Sequence, residues 1–138
     1  MDELQPGDKV VEMGAMVRSV TVATGAVSAA VLFLLAKQGP GFCILGFFLG
    51  AIAGLIVGAI LSRLFYADGK GKVSVVKATP ANIPVALSAA SKAVICQTAC
   101  VLIILGSIGR ISSWPVAISA AVILNSALGF VIARLSLL

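Results

Sequence analysis

One apolar stretch, residues 41–66, constrains the fold of this chain more than any other feature. It reads GFCILGFFLGAIAGLIVGAILSRLFY and carries a single charge, Arg63, near its end. A helix of this length can cross the roughly 30 Å hydrocarbon core of a bilayer. The sequence therefore predicts an integral membrane protein.

Glycines recur at every fourth position of this stretch, which places them on one face of a helix. The four residues are Gly46, Gly50, Gly54 and Gly58. Because hydrophobic burial does not drive helices together in lipid, a face without side chains favours close backbone approach and dispersion contacts. We predict that this face packs against other helices, either of the chain itself or of partner subunits or further copies.

The overall composition supports one membrane domain and excludes a nucleic-acid partner. Apolar residues make up 60% of the 138 positions and the mean hydropathy is +1.16, whereas soluble domains are about 45–50% apolar. A net charge of +5 would suggest nucleic acid binding in a soluble protein. Here the basic residues flank apolar segments, where they set orientation in the membrane instead.

The chain divides into four apolar spans separated by polar segments, which predicts an all-α membrane protein. Residues 38–40 are too few for anything but an antiparallel hairpin between the first two spans, and the last two spans form a second hairpin. The predicted ranges are a tail at 1–16, spans at 17–37, 41–66, 84–108 and 114–137, and a basic loop at 67–83.

The tail and the basic loop can each be interpreted in two ways. In the tail, Asp8 either caps a short helix that enters the membrane or lies in a frayed end. The basic loop is either flexible or contains a short strand-like segment with alternating valines. Its lysines either hold the loop on the cytoplasmic side or form a docking surface for anionic lipid or an acidic partner; they are Lys70, Lys72 and Lys77.

Positive charge is distributed unequally between the two ends of the predicted spans. Eight basic residues fall on one side and two on the other, and the positive-inside rule therefore predicts that both termini and the central loop face the cytoplasm or its organellar equivalent. This pattern suits a bacterial inner membrane or an organellar inner membrane. The larger group is Lys9, Arg18, Arg63, Lys70, Lys72, Lys77, Lys92 and Arg134, and the smaller is Lys37 and Arg110.

The second and fourth spans share a pattern that predicts an internal repeat. A shift of 71 positions aligns the four glycines with a second face of small residues, and it aligns Arg63 with Arg134. Such a repeat relates two hairpins inserted the same way round; the alternative is a chance match between two apolar helices. We assign the second face to helix packing as well; it contains Ala117, Ala121, Asn125 and Gly129.

Among the polar residues inside the predicted spans we single out three, which are Lys92, Gln97 and Asn125. Lys92 is near the cytoplasmic end of the third span, from which a lysine can snorkel to the headgroups. Gln97 lies deeper and is expected to hydrogen-bond to another helix, and Asn125 sits in the middle of the second small-residue face. In the alternative interpretation, these amides line a pore in an oligomer together with Thr98 and Ser126.

The remaining composition excludes most chemistry. The chain has no histidine, and its five acidic residues all lie outside the apolar segments. The chain therefore has no carboxylate to carry protons at mid-membrane and no histidine to bind haem. The cysteines at positions 43, 96 and 100 are interpreted as small apolar side chains. The serines have no histidine to act as a general base, so we predict no catalytic residue, no metal site and no cofactor.

Several features resemble the ATP synthase protein I family of small four-helix membrane proteins. They are the Gly39-Pro40 turn, the glycine-rich LGFFLGAIAGLIVG stretch and the Ser91-Lys92 pair that opens the third span. The family usually has an acidic residue just ahead of that lysine, whereas alanines and a serine precede it here, so the resemblance does not extend to magnesium handling. It implies an accessory factor that assists assembly of the ATP synthase rotor ring.

The sequence as a whole favours a non-catalytic accessory or assembly subunit of a larger membrane complex, bound through the small-residue faces. The alternative is a self-associating pore or small transporter in which the polar residues of the third and fourth spans face water. A lipid-remodelling or scaffold protein is a third interpretation.

Overall fold

The computed structural model describes residues 9–37, 39–66 and 75–137. Four helices in this part of the chain are long and apolar enough to cross a membrane, which confirms the predicted helical membrane class. The elements are β1 (Val10–Glu12), α1 (Met13–Leu35), α2 (Pro40–Phe65), β2 (Val75–Lys77), a 3₁₀ turn (Pro80–Asn82), α3 (Ile83–Ser107) and α4 (Trp114–Ser136).

Prolines and left-handed residues mark the ends of the helices. Pro40, Pro84 and Pro115 each lie in the first turn of a helix, where the missing N–H group of proline costs nothing. Beyond the last turns of α1 and α3, Lys37 and Gly109 adopt positive φ angles of 59° and 73°. A left-handed residue of this kind stops a helix and turns the chain back.

A short β-ribbon lies where the sequence predicted part of the tail and part of the basic loop, and it agrees with the strand-like alternative for that loop. β1 pairs antiparallel with β2, and Val11 lies opposite Val76; both side chains are buried. Each strand has two adjacent valines, which favour extended backbone, and the second valine of each strand points to the covered face. α1 begins at Met13, four residues before the predicted start at 17, because Met13 and Met16 are buried in the same apolar cluster as the ribbon.

Some predictions concern residues outside the described ranges. The interpretation of Asp8 falls within residues 1–8, and Lys70 and Lys72 fall within residues 67–74. Lys77 lies in β2.

α1 is the central helix of the bundle, and α2, α3 and α4 all pack against it. α1 and α2 run antiparallel, since Gly58 lies beside Arg18 whereas Gly46 lies beside Phe33. We call the end of the bundle at which α1 and α3 begin and α2 and α4 end the basic end. It carries the β-ribbon and, among the described residues, Lys9, Arg18, Arg63, Lys77, Lys92 and Arg134.

Two apolar clusters fill the two ends of the bundle. The cluster at the basic end contains side chains from β1, β2 and all four helices, including Met13, Val17 and Ala133. The cluster at the opposite end contains Phe33 and Leu105 among others. The middle third of α1, between these clusters, is where the candidate site lies.

Candidate functional site

The crossing of α1 and α2 brings two backbones into direct contact. A Cβ atom at Gly50 would overlap the carbonyl group of Gly25, and one at Gly54 would overlap the backbone of Thr21. Contacts this close are possible only where neither helix has a large side chain, and they allow dispersion contacts along the backbone. Gly50 and Gly54 therefore fix how closely α2 lies on α1.

The outer two glycines of the same face also point at α1. A Cβ atom at Gly46 would overlap the ring of Phe33, and one at Gly58 would meet the Thr21 hydroxyl and the Arg18 backbone. All four glycines are thus buried against α1 within the chain.

The second small-residue face, on α4, is also buried inside the bundle. Gly129 lies against Val94 of α3 and close to Val20 of α1. The face therefore covers the seam between α1 and α3. Its buried residues are Ala117, Ala121, Asn125, Gly129 and Ala133.

Gln97 extends from α3 into the crossing of α1 and α2. Its side chain is fully buried, and its amide Nε2 donates a long hydrogen bond of 3.4 Å to the carbonyl oxygen of Gly50. The same nitrogen occupies the space where a Cβ atom at Gly25 would lie. The glycines at positions 25 and 50 thus make room for the amide as well as for each other.

Asn125 makes the corresponding contact between α4 and α3. Its Nδ2 donates a 2.7 Å hydrogen bond to Thr98 Oγ1, and Asn125 is fully buried. Gly129 of α4 lies near Val20 of α1. α1 and α4 run antiparallel, so we expect Asn125, one turn before Gly129, at the level of Thr24, one turn after Val20.

These contacts form one layer across all four helices, close to the middle of each. We call it the polar layer; it consists of Thr24, Gly25, Gly50, Gln97, Thr98 and Asn125. It separates the two apolar clusters. On α1, the hydroxyl groups of Thr21, Thr24 and Ser28 donate to carbonyl oxygens of α1 itself, at Arg18, Val20 and Thr24, which satisfies their protons without a second helix.

Two buried acceptors in the polar layer have no hydrogen-bond donor among the described residues. They are Gln97 Oε1 and Asn125 Oδ1. A buried carbonyl oxygen without a donor costs about 1–3 kcal/mol, and both amides nevertheless direct their donors to another helix. The amides therefore hold α3 against α2 and α4 against α3.

Lys92 lies apart from the polar layer. It is exposed on α3, and its Nζ is 5.5 Å from the centroid of the Phe65 ring in the last turn of α2. A cation over an aromatic face is attracted by about 0.5–1 kcal/mol at an exposed site. Lys92 thus belongs to the basic end, with its charge near the end of α2.

Sequence reasoning missed two parts of this arrangement. It did not single out Thr24 and Ser28, although their spacing from Thr21, three and seven residues along, places all three on one face of α1. It also assigned the small-residue faces to partner subunits as well as to the chain. In the structure the chain's own helices occupy both faces, so a partner that used them would have to displace a helix.

The described residues contain no group of three or more histidine, cysteine or acidic side chains placed to hold a metal ion. Cys96 is exposed, and Cys43 and Cys100 are half-buried. Comparison with models of protein families, with characterised proteins and with solved structures finds no match to this chain.

Proposed function

We propose that this protein is a non-catalytic accessory or assembly subunit of a larger membrane complex. One observation carries the proposal. The amides and hydroxyls of the polar layer are enclosed within the bundle, where the amide nitrogens of Gln97 and Asn125 bond to neighbouring helices and the Thr24 hydroxyl bonds within α1. What remains for a partner is the outward surface and the basic end.

The burial of the polar layer also favours this proposal over a pore. A conducting path needs polar groups that face water, whereas Gln97 and Asn125 are 0% exposed and Thr98 is 7% exposed. An oligomer that lined a pore with these residues would first have to open the bundle of each subunit. We therefore place the pore second.

The partner contact in this proposal lies at the basic end. The two hairpins insert the same way round, as the 71-residue repeat suggests, and the basic end then faces the cytoplasm or its equivalent. Lys77 of β2 lies there, and Lys70 and Lys72 precede it in the sequence. If the resemblance to the ATP synthase protein I family holds, the partner is the rotor ring of an ATP synthase, itself an assembly of helical hairpins.

Affinity purification in mild detergent followed by mass spectrometry tests the proposal. The wild-type chain is expected to retain specific membrane subunits, and the variant K70Q/K72Q/K77Q is expected to lose most of them. The matched control Lys37→Gln removes a charge at the opposite end and should retain them.

A flux assay provides the opposing outcome. The purified wild-type chain in liposomes is expected to conduct neither ions nor small solutes. If it conducts, if Asn125→Ala changes the flux, and if no subunit co-purifies, then the accessory function is wrong and the pore is right.

A further inference from the structure

An open groove of about 440 Å³ runs between α3 and α4 on the outside of the bundle. Small residues, Ala90 and Gly129, form its floor, and the larger Leu87 and Phe130 line its sides. The hydroxyl-bearing residues Ser91 and Ser126 also line it. In a membrane, lipid acyl chains can reach this groove. The groove is wide because the residues at its floor have small side chains or none.

Positive charge flanks the groove where it approaches the basic end. Arg134 follows Phe130 by four residues and therefore continues the same face of α4. Lys92 of α3 lies at the same end of the bundle but on the side of α3 that meets α2, where its Nζ lies over the Phe65 ring. The Arg134 side chain is exposed.

No acidic side chain in the described part of the chain neutralises this charge at the groove. Glu12 is the one acidic residue within those ranges, and its carboxylate lies 3.7 Å from the guanidinium of Arg18. The mouth of the groove is thus positive, and its depth is apolar with two hydroxyl-bearing residues.

We propose that the groove between α3 and α4 binds one anionic phospholipid. An acyl chain lies along Ala90 and Gly129, and the phosphate lies at the basic end against Arg134. The arrangement suits a phospholipid because the apolar part of the groove can hold an acyl chain while Arg134, at the end of the groove, meets the anionic headgroup. Basic pockets between membrane helices at the cytoplasmic side bind anionic headgroups in this way.

Native mass spectrometry of the purified chain, titrated with phosphatidylglycerol or phosphatidylcholine, tests the proposal. The wild-type chain is expected to retain one phosphatidylglycerol in preference to phosphatidylcholine. Arg134→Gln should reduce that preference about fivefold, the effect of one basic residue near an anionic surface. Arg63→Gln removes the same charge from the corresponding position of α2 and should leave the preference unchanged.

A second pair of variants tests the apolar part of the groove. Ser126→Phe fills the groove and should lower the occupancy of both lipids. Val131→Phe adds bulk at an exposed position of α4 that does not line the groove and should not lower it. The fluorescence of Trp114, the only tryptophan, reports whether each variant keeps its fold; Arg134→Gln changes an exposed residue and tests the proposal even if Ser126→Phe unfolds.

Three results would overturn the proposal. Equal losses in Arg134→Gln and Arg63→Gln would show general surface attraction and no site. Equal retention of the two lipids by the wild-type chain would show that the groove does not recognise an anionic headgroup. A dimer that replaces the lipid-bound monomer and disappears in Ser126→Phe would assign the groove to a second copy of the chain.

Discussion

The carbonyl oxygen of Gly25 occupies the space in which any side chain at position 50 would begin. Gly41, in the first turn of the same helix, has no neighbour within 4 Å of such a position. Both glycines belong to α2, yet packing against α1 requires a glycine only at position 50. The four-residue spacing already set Gly50 apart from Gly41, but the sequence of α2 alone does not show which backbone lies opposite Gly50.

Gly50→Ala is therefore expected to destabilise the protein and Gly41→Ala is not. Overpacking against a backbone that cannot move aside costs roughly 1–3 kcal/mol, whereas alanine in an open helical position is neutral or favourable. Thermal unfolding in detergent, followed by Trp114 fluorescence, measures both. Equal midpoints for the two variants would mean that α2 does not lie on α1 as described.

The hydrogen bond between Asn125 and Thr98 is testable by a double-mutant cycle. Thr98→Val and Asn125→Ala should show a coupling free energy of about 0.6–1.7 kcal/mol, the range for interhelical hydrogen bonds in membrane proteins. The control cycle pairs Thr98→Val with Ser126→Ala, at the neighbouring position on α4, and should be additive. If the free energies were additive in both cycles, Asn125 and Thr98 would not be coupled by a hydrogen bond.

At the level of elements, α1 is the hub although α2 is the more apolar helix. Within their apolar windows α1 is 56% buried and α2 is 33% buried. In water the more apolar helix would lie inside, but lipid is as apolar as leucine, so apolarity does not mark the interior of a membrane bundle. Small and hydroxyl side chains mark it instead, and α1 is rich in them.

The sequence predicted the elements better than their arrangement. Span length and charge located four helices, and four-residue spacing identified the glycines that meet α1. The pairing of the two strands in the β-ribbon was not predicted. Each strand has only three residues, and the whole first hairpin, α1 and α2, separates them in the sequence. The polar layer was only partly predicted. The sequence singled out Gln97 and Asn125, but Thr24 looks like any other small residue of its span.

Disulfide cross-linking tests the ribbon. In a chain whose three cysteines are replaced by alanine, Glu12→Cys with Val75→Cys should oxidise readily, because these residues are directly paired and paired strand residues lie within disulfide range. The control pair Glu12→Cys with Val85→Cys, on the exposed start of α3, should stay reduced. Intact mass before and after oxidation distinguishes the outcomes, and equal oxidation of both pairs would argue against a fixed ribbon.

At the level of the whole molecule, the bundle consists of two apolar clusters held apart by the polar layer and closed at one end by basic residues. Its small-residue faces serve the chain's own helices, its described residues offer no metal-binding cluster, and its outward helix faces suit lipid. Because the polar layer is enclosed, both the proposed partner contact and the proposed lipid site are assigned to the surface of the bundle.

Accessibility of position 125 tests most directly the claim that the polar layer is sealed inside the bundle. In the cysteine-free background, Asn125→Cys is labelled with a water-soluble maleimide in folded protein reconstituted in liposomes, with Lys37→Cys as the exposed control. The account predicts that Lys37→Cys is labelled at once and that Asn125→Cys is labelled only after unfolding in SDS. Labelling of both residues at similar rates in the folded protein would show that water reaches the layer and would contradict the account.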